Sequence, residues 1–404
     1  MIKIGIIRET KLKTDSRAAL TPADVQFLHS YYCKDIRVYV QPSDVRAFST
    51  KEYEEAGAII SENLEDCDFL FGIKEALPAT LIPNKHYFFF GHIREDKPYN
   101  IPLLKEMVRK GVTFSDYEFF GTGNDRLTSF SYYAGIVGAY NTIRLYGIKN
   151  NCFNLEAPGL NFSVNQLKEN IRRISSVLHS RNAKFVITGK GIASRGAETA
   201  LSFTGLKQLN TDEFLRSSLP SYTILSSKDT VKNKLGNEYS KEHYYNNPSE
   251  YVSDFSKYAK SADALIACHS WEPEQPILFG REETIDSERR MNIIGDVVCD
   301  INGSICTTIK HSSHSAPFYE VDSITLQELP CIGGENSISV MAVDTLPNAL
   351  PREASASFGM DLIKSLIVPC LLSNSIDGQD KINNATVVHN GIITDKFSSL
   401  KKLL

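Results

Sequence analysis

The chain has 404 residues, 42% hydrophobic and 23% charged, an ordinary globular composition in a length that favours two cores over one. A formal net charge of −4 offers no electrostatic footprint for nucleic acid or an anionic membrane. No uninterrupted apolar stretch approaches the length that spans a bilayer.

Met1 to Ile7 reads as a strand from the first residues, which leaves no room for a signal or transit peptide. Thr21-Pro22-Ala23-Asp24 supplies an N-cap, a first-turn proline and an acid three residues on, opening a helix that buries Val25 and Leu28. A strand at Ile36 to Val40 follows, then a short helix from Glu52 to Glu55 ended by Gly57, then the run Ala58-Ile59-Ile60. Three further apolar runs each deliver a polar residue. Phe69-Leu70-Phe71-Gly72-Ile73 leads into Lys74, and Tyr87-Phe88-Phe89-Phe90 leads through Gly91 to His92. Val112-Thr113-Phe114 leads through Asp116 to Glu118. Strand–helix alternation at this spacing predicts a mostly parallel sheet with helices on both faces. In such a sheet ligands bind outside the carboxyl ends of the strands. A lysine, a histidine and a carboxylate on one such edge form a proton-transfer set, against the plainer reading of solvated charges and a structural histidine.

The second segment opens with the Tyr132-Tyr133 pair, read as packing at a hinge, and a helix on which Val164, Leu167, Ile171, Ile174 and Leu178 share a face. Phe185-Val186-Ile187-Thr188 then runs directly into Gly189-Lys190-Gly191, the strand–glycine-turn–helix start of a dinucleotide fold. Strands are expected at Ala264 to Cys268 and Ile293 to Cys299, with a polar insertion of loops and short helices from about Ser226 to Lys260. Near the end, Pro351 suits the first turn of a helix running through Phe358, Leu362, Leu366 and Val368, expected to return to the first domain. The expected architecture is α/β: two Rossmann-like doubly wound domains with an interdomain cleft, the first discontinuous (1–131 plus 345–404) and the second a dinucleotide-binding domain (132–344).

The glycine motif departs from G-x-G-x-x-G, with Ser194 at the third glycine position and Gly196 two residues later. Gly189 and Gly191 still permit the tight turn and close approach of a pyrophosphate, and Ser194, Gly196 and Ala197 are small enough for close helix–strand contact. The residue aligned with the usual ribose acid is Asn210, with Asp212 two residues late, which leaves NAD versus NADP open. The eight cysteines include no C-x-x-C pair, and the spacing of Cys299 and Cys306 is not a zinc spacing. They read as reduced thiols in the cytoplasm, and no metal site is expected.

Arg8-Glu9-Thr10, Arg17 to Pro22, Gly72-Ile73-Lys74-Glu75, Phe89-Phe90-Gly91-His92, Asp116-Tyr117-Glu118, Tyr133 to Gly138 and Thr188 to Ala197 form one series. With Asn247 to Tyr251, Asp296 to Asp300 and Asp344 to Ala354, it resembles the lysine-forming saccharopine dehydrogenases. It resembles especially the lysine–ketoglutarate reductase half of animal and plant aminoadipic semialdehyde synthases, both within the alanine dehydrogenase/transhydrogenase superfamily. The resemblance implies an NAD- or NADP-dependent oxidoreductase interconverting saccharopine with L-lysine and 2-oxoglutarate through an imine. It implies a monofunctional enzyme, since the chain stops at Leu404. His92 would be the general acid–base, Lys74 would exchange a proton with the secondary amine, and Glu118 would tune Lys74. Arg17 and Arg126 would grip substrate carboxylates, with Asp15 tuning Arg17. Gly189, Gly191, Ser194, Arg195, Gly196, Asn210 and Asp300 would serve the cofactor. Small-molecule substrates are the expected partners, with a homodimer as the base-rate oligomer. The rival readings are an alanine dehydrogenase-like amino-acid dehydrogenase and a non-catalytic cofactor-binding relative.

Overall fold

The computed structural model describes all residues except 12–13, 95–97, 122–128, 335 and 374. It divides into two units, Met1–Phe130 with Pro351–Leu404, and Ser131–Leu350.

The first unit carries the strands β1 (Ile2–Ile6), β2 (Ile36–Val40), β3 (Ile59–Ile60), β4 (Phe69–Phe71), β5 (His86–Phe89) and β6 (Thr113–Asp116). They run parallel in the order β3-β2-β1-β4-β5-β6, and Thr386–His389 with Ile392–Ile393 continues the sheet antiparallel past β6. This is the doubly wound order, with its switch point between β1 and β4. The central strands read as unbroken apolar runs because helices cover both faces; Ile4, Leu70, Phe71, Phe88 and Phe89 are all sealed from solvent. The cap expected at Thr21 is present, and a second one, not expected, lies at Ser49. Thr21 and Asp24 close a capping box on the helix Pro22–Tyr32, and Ser49 and Glu52 close another on Thr50–Glu55.

The C-terminal helix Pro351–Leu362 seats Phe358 against Phe90, Tyr117 and Phe130 of this unit, and continues as a π-type stretch Ile363–Leu372 with Pro369 inside it. Proline removes an N–H from the ladder, which accounts for the looser winding. Pro351–Leu372, although interrupted by Arg352, Glu353, Asp361 and Lys364, is by length and composition apolar enough to cross a membrane. Half of its apolar window is buried within the protein, as in the core helix of a globular unit.

The second unit is built on β7 (Lys184–Thr188), β8 (Lys207–Gln208), β9 (Ser221–Leu225), β10 (Val231–Asn233), β11 (Tyr251–Ser253), β12 (Ala264–Ala267), β13 (Ile293–Asp296), β14 (Phe318–Asp322), β15 (Glu328–Leu329) and β16 (Ser337–Met341). Its sheet runs β8-β9-β7-β12-β13-β16-β14-β15, parallel from β8 to β16 and antiparallel beyond. Three expectations are corrected. The insertion is not only loops and short helices: β10 and β11 form an antiparallel ribbon around Val231, Tyr244 and Tyr251. The helix expected from Val164 to Leu178 is two, Val164–Arg173 and Ser175–Ser180, because Ile174 has left helical geometry (φ −103°, ψ 3°). The strand from Ile293 stops at Asp296, whose carboxylate accepts the N–H groups of Val298 and Cys299 (both 3.0 Å) and turns the chain.

Glycines set the helix packing here. A Cβ on Gly135 would lie 1.8 Å from the Ala193 carbonyl oxygen, and one on Gly196 would lie 1.9 Å from that of Tyr132. The helices Ser129–Lys149 and Ile192–Ser202 therefore cross backbone to backbone. Gly196 serves this helix–helix contact, not the helix–strand contact expected of it.

Candidate active site

The carboxyl ends of β1, β4, β5 and β6 gather the charged residues of the first unit. Past β1, Glu9 turns back across the switch point, and its two carboxylate oxygens accept the N–H groups of Ile73 (2.7 Å) and Lys74 (2.8 Å). Burial, with the Asp15 charge adding to it, pushes the Glu9 carboxyl up to about 7. Beside it Asp15 and Arg17 form a buried two-pronged pair, Nε to Oδ1 at 2.9 Å and Nη2 to Oδ2 at 2.6 Å. The Arg17 guanidinium lies over the Phe130 ring, 4.6 Å from its centroid. Burial alone would raise the Asp15 carboxyl, but Arg17, with Lys74 acting in the same sense, holds it below the usual carboxylate range.

His92, past β5, has φ +46°, a left-handed conformation that histidine adopts uncommonly. That conformation turns the imidazole between two carboxylates, with Nδ1 3.3 Å from Glu75 Oε1 and Nε2 3.3 Å from Glu118 Oε1. The Nδ1 contact lies at ion-pair distance without hydrogen-bond alignment, and Glu75 Oε2 is buried with no hydrogen-bond partner among the described residues. Burial raises the Glu75 carboxyl, yet His92 and the Lys11 ammonium at 2.5 Å outweigh it and hold Glu75 down at about 2. The Asn100 amide fixes this arrangement by donating to Glu75 Oε1 (3.0 Å) and to the carbonyls of Gly91 (2.9 Å) and His92 (3.1 Å). Asp116, at the end of β6, accepts the N–H groups of Gly91 (3.0 Å) and Glu118 (2.9 Å), so one buried acid joins the His92 and Glu118 loops. Burial, with the Glu118 charge behind it, raises the Asp116 carboxyl well above its ordinary value.

The expected residues thus fall out as follows. Lys74, His92 and Glu118 sit on one edge, with Asp15 and Arg17 at the same edge through Glu9 and Lys74. Glu118 is found against His92. Arg126 lies outside the described residues. Sequence reading did not single out Glu9, Glu75, Lys11 or Asn100. The Glu75 signal was its place beside Lys74, whereas Asn100 lies eight residues past His92 with no periodic cue.

The edge of the second unit is built differently. Gly189 (φ +88°) turns so tightly that a Cβ would meet the Cys268 carbonyl oxygen at 2.8 Å. Gly191, the N-cap of Ile192–Ser202, makes no side-chain cap, and a Cβ there would meet nothing within 4 Å. The start of this 11-residue helix, with no side-chain cap and open space beside Gly191, suits a pyrophosphate, with Lys190 and Arg195 exposed in the same turn. Ser194 is buried in the helix.

Asn210 follows the outermost strand and does not adjoin the glycine turn. The strand beside β7 is β9, which bonds the glycine turn directly through the Gly189 N–H to the Leu225 carbonyl (2.8 Å). β8 is the outer edge strand, and Asn210 spends its side chain capping the helix Thr211–Arg216. The residues next to the glycine turn are therefore Ser226, Ser227 and Lys228. Asp229 is turned onto Ser226, accepting its N–H (2.8 Å) and Oγ–H (2.6 Å), and Lys228 is exposed. Asp300 is exposed, while the buried acid of that loop is Asp296, raised to about 6 by burial. Past β12, His269 bridges Thr188 Oγ1 (2.7 Å) and Ser304 Oγ (2.8 Å) and is lowered to about 4 by burial, so it stands neutral beside the glycine turn. Sequence reading missed it.

Residues 5–137 match the family model described as alanine dehydrogenase/PNT, N-terminal domain. The chain is similar to alpha-aminoadipic semialdehyde synthase of Arabidopsis thaliana, 26% identical over 441 residues that cover 99% of this chain and 41% of that protein. It is also similar to saccharopine dehydrogenase (NAD(+), L-lysine-forming) of Yarrowia lipolytica, 24% identical over 384 residues that cover 91% of this chain and 92% of that protein. The chain spans less than half the length of the semialdehyde synthases it matches. Among solved structures, an L-alanine dehydrogenase shares the fold, with a TM-score of 0.66, 19% identity and 100% of both chains covered. The likeness expected from the motif series is thus found along nearly the whole chain.

Proposed function

We propose that the protein is a pyridine-nucleotide-dependent oxidoreductase that interconverts saccharopine and water with L-lysine and 2-oxoglutarate, the nicotinamide accepting or giving the hydride. The observation that carries this reading is His92 held between Glu75 and Glu118 on the edge that presents Lys74. The matches to saccharopine dehydrogenases and semialdehyde synthases along the chain support it. Hydride transfer is the cofactor's own chemistry, so the protein's work is orientation and proton movement. Oxidation of the secondary amine first needs its proton removed, the role of Lys74. The resulting imine adds water and the carbinolamine collapses to amine and ketone, steps in which His92 takes and returns a proton. Glu75 and Glu118 flank the ring and hold it in place through these steps. Arg17, oriented by Asp15, is assigned to a substrate carboxylate.

For the nucleotide we propose the 2′-phosphorylated form. Next to the glycine turn, Lys228 is exposed and Asp229 is committed to Ser226, so the position offers a cation where a ribose diol would want an acid. The test is absorbance at the nicotinamide band with lysine and 2-oxoglutarate, using NADH and NADPH separately. Each substrate is omitted in turn, and ammonia plus pyruvate serves as control. Oxidation that needs both substrates and is faster with NADPH supports both readings. Turnover of ammonia and pyruvate alone replaces the first reading with an amino-acid dehydrogenase, and a preference for NADH removes the second.

A further inference from the structure

We propose that Glu9 is a positioning residue for Lys74: its two carboxylate oxygens hold the bend between β4 and Lys74 by accepting consecutive backbone amides, and this sets where the lysine and Glu75 point. The inference rests on the role given to Lys74 above. Successive amides of an extended strand point to opposite sides. One carboxylate can take the N–H groups of both Ile73 (2.7 Å) and Lys74 (2.8 Å) only because the chain has left strand geometry at that point. The bend is therefore tied to a residue from β1's exit, across the sheet's switch point, and not to β4 alone. Gly72 completes the cradle, since a Cβ there would meet the Ile7 side chain at 2.8 Å and reach Glu9 Oε1 at 3.5 Å.

Two successive residues depend on that bend. Lys74 is the proposed proton carrier, and Glu75 is the carboxylate against His92, so a shift at Ile73–Lys74 displaces both halves of the proton-transfer set together. The charged and titratable groups facing Glu9 are Asp15, Arg17, Lys74, Arg46 and Tyr117. Burial and Asp15 bring the Glu9 carboxyl to about 7, so it takes up a proton as the medium turns mildly acidic. A protonated carboxyl turns one acceptor oxygen into a donor and weakens one of the two amide bonds. The presentation of Lys74 therefore carries a pH dependence that originates in neither Lys74 nor His92.

The test compares the full chain with Glu9→Gln, which keeps the shape but sets an amide donor against a backbone N–H, and with Glu9→Asp, which keeps the charge but withdraws it by one methylene. Amide hydrogen exchange, read by mass spectrometry over the segment 70–77, needs no turnover. Both variants should exchange about 10-fold faster there, with the rest of the first unit unchanged. In the lysine plus 2-oxoglutarate assay kcat should fall roughly 10- to 100-fold at an unchanged cofactor Kd, and Glu9→Gln should lose one acid limb of the rate profile. Unchanged exchange in 70–77 overturns the proposal. So does a lower melting temperature with kcat and pH profile intact, the mark of a merely structural residue. If the parent protein turns over neither substrate, the activity reading has failed, and the exchange result alone decides whether Glu9 holds the bend.

Discussion

The two sheets share a doubly wound plan, yet their carboxyl edges are filled by opposite materials. In the first unit the edge is crowded with charge: Glu9, Asp15, Arg17, Lys74, Glu75, His92, Asp116 and Glu118, several of them buried. In the second the glycine turn is lined by hydroxyls and a neutral histidine, with open space over Gly191, and the charges near it are the exposed Lys190, Arg195 and Lys228 and the buried Asp296. Charges at close quarters shift one another's proton affinity, which suits an edge that moves protons. A bare, uncapped helix start admits a ligand's phosphates and has no proton to trade. Two sheets of one plan thus differ in the chemistry their edges offer by what their loops carry.

The largest effect expected from breaking this division is at Lys74. Lys74→Met should cut lysine-dependent turnover by about 10²- to 10⁴-fold with cofactor Kd unchanged in a fluorescence titration. A weakened Kd would mean that the charged edge also holds the nucleotide. Next comes Gly196→Ala, whose new Cβ meets the Tyr132 carbonyl, an atom that cannot swing aside. Roughly 2–4 kcal/mol of stability should be lost in urea melts, and an unaltered midpoint would show that the two helices can part cheaply. Lys228→Ala should reduce the preference for NADPH over NADH by roughly tenfold, read as a ratio of kcat/KM values, and leave turnover at saturation alone. The smallest effect at neutral pH concerns His86, at the amino end of β5, the end opposite His92. Burial, helped by His389, lowers it to about 3, and its Nε2 lies 2.8 Å from Ser115 Oγ. Its folded pKa is below the unfolded value, so the unfolded chain takes up the proton first. This stabilisation is complete above about pH 6.5 and is lost as pH falls toward 3. His86→Gln should leave pH 7 melts little changed and flatten the decline between pH 6.5 and 4; an equally steep decline would place the acid sensitivity elsewhere.

The elements were legible wherever local chemistry decides them. The capping box at Thr21, the β-branched run before Gly189 and the apolar runs before Lys74 and His92 all appear in sequence as they do in the fold. What stayed hidden is decided at a distance. The neighbour of β7 is chosen by packing, so counting about 20 residues past the glycines reached the outer strand β8, whereas the strand paired with β7 on that side is β9. Glu9 bonds Ile73 and Lys74 across some 64 positions, and Asn100 acts on carbonyls, which any residue has. Neither leaves a local pattern to read.

The left-handed backbone at His92 bears on how its imidazole can be interrogated, and on how the position can drift. Alanine there would remove the ring and also place a Cβ-bearing residue without a helpful side chain in a conformation that costs roughly 1–2 kcal/mol, so a dead variant would confound two losses. Asparagine and glycine keep that backbone at little cost. His92→Asn is thus the substitution that isolates the imidazole, and it is the neighbouring state through which a lineage could abandon catalysis while keeping the fold.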